Sequence, residues 1–173
     1  GILMNELSDS LFLNFIAAFF YTSGFCILFT VPKKRIWAAS LTGALGWIAY
    51  KVLVMNGDSK ILACFIGSCV VAVISEIFSR AGKEATTLFI IPGILPLVPG
   101  SGMYYTMLSA MKRDFDTAAT AGYETLFMAG SIALALLIIA SLTRILVAGR
   151  AKILEYLSRK STTGNQQGNQ PDR

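Results

Sequence analysis

The chain has 173 residues, is 54% hydrophobic and only 14% charged, and has a mean hydropathy of +0.62, where a soluble domain carries nearer 25% charged residues. It has no histidine, and Cys26, Cys64 and Cys69 lie inside apolar stretches without a CxxC pair, so histidine-based catalysis, a zinc site and a disulfide scaffold are unsupported. No cofactor or metal is implied, and the net charge of +5 fits basic cytoplasmic loops rather than nucleic-acid binding.

A bilayer core takes about 20 apolar residues per helix. Apolar runs lie at about 10–31, 36–56, 60–78, 87–109 and 122–147. The sequence therefore reads as all-α, a polytopic membrane helix bundle of five transmembrane helices. Glu6 and Asp9 precede the first run where a secretory signal needs positive charge, so this run is read as a retained helix. Gly1-Ile2-Leu3 is read as a remnant ahead of a natural start at Met4. Thr22 and Ser23 fall mid-span, where hydroxyls most often bond back to their own helix, with a pathway lining as the other reading.

The second run carries Ala39 with Gly43 and Ser40 with Ala44, four apart, and then Gly46. The third carries Gly67, Ser68, Val71 and Ala72. Such faces let membrane helices approach closely. Lys51, near the outer end of the second span, can snorkel to the headgroups or serve the pathway. Glu76 and Arg80 share a face of the third span at four-residue spacing. They read either as an ion-coupling pair, since ionisable groups within a span are costly, or as an interfacial ion pair near water.

The fourth run, LFIIPGILPLVPGSGMYYTML, is the most telling. Pro92, Pro96 and Pro99 each lack a backbone donor, and Gly93, Gly100 and Gly102 open backbone geometries closed to other residues. Broken backbone survives at membrane depth only against protein or a wet cavity, and broken helices commonly build transporter binding sites. The fourth span is therefore expected to be broken, with its half-helix ends presenting unpaired amides or carbonyls to a substrate. Tyr104 and Tyr105 follow it as interfacial anchors or substrate contacts.

Residues 112–122 read as a polar break, with Asp114 and Asp116 as solvated loop residues. Glu124 reads either as a carboxylate favouring the positive N-terminal end of the fifth helix or as a functional group. The domain reading is a five-span domain over 1–148, a basic amphipathic extension along the membrane surface over 149–160, and a disordered tail over 161–173. Lys33, Lys34, Arg35, Arg80, Lys83 and the basic residues from Arg144 to Lys160 fall on one side of a five-span chain, against Lys60, Lys112 and Arg113 on the other. That bias puts the N-terminus outside and the C-terminus in the cytoplasm.

The stretch from Ile74 to Met111 resembles the signature region of the threonine/serine exporter family, above all its small subunit where the exporter is split into two chains. Glu76 and Arg80, Pro92-Gly93, Leu97-Val98-Pro99-Gly100 and Tyr104 carry the resemblance, with Phe29-Thr30-Val31-Pro32 before a basic loop. It implies a five-helix domain in the bacterial inner membrane that works beside a second, larger membrane half. It further implies export of threonine and serine, or of dicarboxylates such as succinate, drawing on the proton motive force. An exporter of small carboxylates or amino acids is the expectation. The alternative is a non-transporting scaffold that stabilises a partner membrane protein. Assembly of several copies stays open, and an intramembrane enzyme ranks last for want of a nucleophile and base.

Overall fold

A computed structural model describes the backbone of residues 2–167 and the side chains of residues 10–157. Its helices are α1 (Ile2–Leu28), α2 (Ile36–Met55), α3 (Lys60–Gly82), α4 (Thr87–Ile94), α5 (Gly100–Met111) and α6 (Phe115–Gln167). A short 3₁₀ turn, Leu95–Leu97, separates α4 from α5. Among the described residues four helical stretches are long and apolar enough to cross a membrane: those beginning at Ser10, Lys33, Lys60 and Phe115. The α4–α5 pair, bent by 50°, makes a fifth where its two halves count as one span. The all-α membrane bundle expected from the sequence is what forms.

The chain divides into two compact units, residues 1–139 and 140–173. Within the first, α2 is the hub and packs against α1, α3 and α4. Its small residues explain this. Ala39, Ser40, Gly43, Ala44 and Gly46 are all buried, as are Gly67, Ser68, Val71 and Ala72 on α3. A Cβ on Gly67 would stand 3.0 Å from the Gly46 carbonyl oxygen, so only glycine allows these backbones to approach so closely. Two apolar clusters fill the interior, Cys26 with Val31, Ala38, Ala39 and Phe89, and Cys64 with Val71, Leu97 and Ile132.

The two connections at one end of the bundle are tied together. Arg35 donates to the Gly82 carbonyl at 3.0 Å and pairs with Glu84 at 3.6 Å. At the other end Lys60 pairs with Glu124 at 3.2 Å. The α4–α5 pair therefore starts at the Arg35 end and delivers the chain to α6 at the Lys60 end, as one broken span requires.

Three local readings change. Pro92 does not break its helix: it lies inside α4, whose first turn already uses short bonds from Leu88 and Phe89 to Ala85 and Thr86. The break comes at Val98, which is extended (ψ 127°) before Pro99, as residues preceding proline prefer. Residues 115–122 are helix rather than loop. Asp114 caps them, accepting the Thr117 amide at 3.2 Å and the Thr117 hydroxyl at 2.7 Å. These two bonds hold the Asp114 carboxyl below the usual aspartate range. The second unit is the C-terminal part of α6, and it stays helical to Gln167, through the first part of the tail read as disordered. Residues 168–173 lie outside the described residues.

Candidate functional site

The break leaves backbone groups to satisfy, and several of them are met within the turn or from α3. The Val98 amide bonds to Leu95 at 3.2 Å, and the Gly100 amide turns back to Val98 at 2.8 Å. The Leu97 carbonyl receives the Cys64 thiol at 3.9 Å. Leu97 itself is wedged against Gly46 and Gly67, which fixes the turn between α2 and α3. The first amides of α5 lack helical acceptors of their own.

Against this turn lies an open cavity of about 490 Å³, lined by the segment from Leu95 to Ser101 and by residues of α1, α2 and α6. The α1 wall is Asn14, Ala17, Ala18 and Tyr21, the α2 wall is Trp47 and Tyr50, and Met128 comes from α6. The Trp47 indole N–H donates to the Asn14 side-chain oxygen at 3.3 Å, while the Asn14 amide donates to the Ser10 carbonyl at 2.7 Å. The amide is thereby oriented, with its oxygen toward α2. The volume suits a small metabolite. Among the described residues no charged side chain lines the cavity, so recognition by these residues falls to hydroxyls, an amide, an indole and backbone.

The expected site residues divide between this cavity and other places. Pro96, Pro99 and Gly100 line it, and a Cβ on Gly100 would meet nothing within 4 Å. Pro92 and Gly93 are buried away from it, with Gly93 packed against Thr42 and Val71. Gly102 faces α6, where a Cβ would collide with the Thr125 hydroxyl. Tyr104 is 62% exposed and stacks edge-on with Tyr105.

The charged candidates also stand apart from the cavity. Glu76 accepts from Arg80 at 3.4 Å, and its side chain is 20% exposed against 52% for Arg80. Lys51 lies 5.9 Å from the ring of Trp47, a cation–π contact one residue behind the cavity wall. Glu124 lies in the third turn of α6 rather than at its start, so its partner is Lys60 and not the helix dipole.

Asn14, Trp47 and Tyr50 escaped the sequence reading. An amide set in the apolar run LFLNFIAAFFY, and two aromatics one turn apart beside Lys51, were the signals that pointed to them. No solved structure matches the chain. Residues 14–142 match the family described as Threonine/Serine exporter, ThrE. That match spans the cavity walls, the Pro-Gly break and every charged candidate, and the chain belongs to this exporter family.

Proposed function

We propose that the chain is the small half of a two-part secondary exporter, and that the cavity at the α4–α5 break holds the substrate. One observation carries this: a metabolite-sized cavity is walled by the irregular segment of the fourth span, the arrangement that membrane proteins tolerate where backbone serves a site. The lining suits a small amino acid or carboxylate whose carboxylate meets an amide of the first turn of α5 other than that of Gly100, which is paired with Val98. Threonine, serine and succinate are the substrates to try.

Glu76 is the candidate proton-coupling group. It is the less exposed member of its ion pair with Arg80, and its protonation would release that pair. The membrane is a bacterial inner membrane, with the N-terminus outside and the basic loops at Arg35 and Lys83 in the cytoplasm. A larger five-span half supplies the rest of the transporter.

The test co-reconstitutes the chain with such a partner in liposomes preloaded with threonine, serine or succinate. Efflux of at least one of them, faster with an imposed proton gradient, is expected. Efflux of none by a folded complex would overturn the reading.

A further inference from the structure

The cavity reaches only part of the way through the bundle. Its walls on α1 and α2, from Asn14 to Tyr21 and from Trp47 to Tyr50, lie toward the end where Lys60 meets Glu124. Toward the Arg35 end the same helices continue with hydroxyls that are fully buried: Thr22 on α1, Ser40 and Thr42 on α2, with Ser75 on α3. Thr22 and Thr42 donate to carbonyls of their own helices at 2.8 Å. Ser40 shares a 2.7 Å hydrogen bond with Ser23 across the α1–α2 contact. The Ser75 hydroxyl has no partner among the described residues.

A buried hydroxyl without a partner is costly, more so where the dielectric is low. Ser75 is such a hydroxyl, and Thr22, Ser40 and Thr42 beside it bond to helix carbonyls or to another hydroxyl, so this half offers polar groups that a wet passage could use. Two kinds of contact shut this half: the apolar cluster around Cys26 and Phe89, and close approaches at glycine. Thr22 presses on Gly43 so closely that no Cβ would fit, and a Cβ on Gly93 would stand 3.1 Å from both Thr42 and Val71. At the glycine contacts helices can part without pulling large side chains from their pockets, which leaves Phe89 as the large side chain that must shift.

At the closed end a polar cross-tie joins the two connections. Arg35 belongs to the α1–α2 connection, yet it donates to the Gly82 carbonyl and pairs with Glu84 in the α3–α4 connection. Glu84 is itself held, since its carbonyl accepts the Ser79 hydroxyl at 2.5 Å and its amide donates to the Ser79 carbonyl at 3.0 Å. Exposed ion pairs hold weakly, which suits a contact that breaks in every cycle.

We propose that Thr22, Ser40, Thr42 and Ser75 line a second half of the permeation pathway, shut in this conformation, and that Arg35 with Gly82 and Glu84 is its latch. The inference rests on the cavity being the substrate chamber. It adds where the substrate enters and what holds that entrance closed.

A native reporter lies in the closed half. Cys26 is fully buried among Val31, Ala38, Ala39 and Phe89, between Ser40 and the latch. The experiment uses the full chain with its partner, carrying Cys64→Ala and Cys69→Ala, in inverted membrane vesicles. A charged methanethiosulfonate is added from the side of the basic loops, and the rate of Cys26 modification is measured.

Arg35→Gln and Glu84→Gln should each raise that rate about two- to fivefold, the shift that loss of an exposed ion pair gives a two-state equilibrium. Gly82→Ala should do the same without changing charge, because its Cβ would stand 2.8 Å from the Arg35 guanidinium carbon. The reversed pair Arg35→Glu with Glu84→Arg should recover only the part of the slow rate that the ion pair supplies, since a carboxylate cannot donate to the Gly82 carbonyl. Lys60→Gln at the far end should leave the rate unchanged. Unaltered labelling in all three latch variants overturns the proposal, as does equal acceleration by Lys60→Gln. Labelling needs no transported substrate. Faster labelling without any export would therefore reject the exporter reading and keep the latch, whereas normal export with unaltered labelling would reject the latch alone.

Discussion

Gly100 and Gly102 stand two residues apart and make opposite demands. A side chain at Gly100 would project into open space at the cavity wall, whereas one at Gly102 would strike the Thr125 hydroxyl. Gly100→Leu should therefore assemble normally and block export by filling the chamber. Gly102→Ala should instead lower stability by about 1–3 kcal/mol through overpacking, while the protein that does fold still exports. Thermal unfolding in detergent and efflux normalised to folded complex separate the two. Normal export by Gly100→Leu would make the cavity a packing defect rather than a chamber. Glu76 makes a different demand. If it couples protons, Glu76→Gln should leave the complex assembled and exchange intact, and should remove acceleration by an imposed pH gradient. A gradient response equal to that of the unaltered protein would assign Glu76 to a structural ion pair with Arg80.

At the scale of elements, the legible features were those with local causes. Small residues four apart on α2 and α3 marked the faces that bury, and three prolines in one run marked a broken span. The placing of the break was not legible, because it depends on context. Pro92 stays inside α4, fully buried among its neighbours, and Leu97 fixes the bend only because Gly46 and Gly67 leave room for it. The cavity walls Asn14 and Trp47 come from different spans, and their pairing is a tertiary fact. The start of α6 was misread for a local reason: alanine, threonine and glycine after two aspartates resemble a loop, although Asp114 with Thr117 is a helix cap. Asp114→Ala should lower the thermal midpoint in detergent, and Asp114→Ser should largely retain it. The Asp114 carboxyl titrates lower when folded, so its contribution is complete above the unfolded aspartate pKa of about 3.9. It is lost as the pH falls through the lower folded value. A midpoint for Asp114→Ala that matched the unaltered protein at neutral pH would remove the capping role.

For the molecule as a whole, the open question is whether this chain transports alone. The small-residue faces of α2 and α3 give no reason to require another subunit, since α1, α4 and the α2–α3 contact itself cover them. The cavity does give one. It is open rather than enclosed, walled by α1, α2, the break and Met128, and a substrate held there would lack a wall. Sequestering a polar solute at membrane depth needs groups on every side, and a second half would supply the missing ones. The purified chain in liposomes preloaded with threonine, serine or succinate should therefore show no efflux above protein-free liposomes, and the co-reconstituted pair should. The chain alone should still be folded, because the contacts of α2 with α1, α3 and α4 and both apolar clusters form within one chain. Circular dichroism and a cooperative thermal transition would check that the silence is not misfolding. Efflux from the folded chain alone, at a rate matching the pair, would show that copies of this one subunit build the whole pathway.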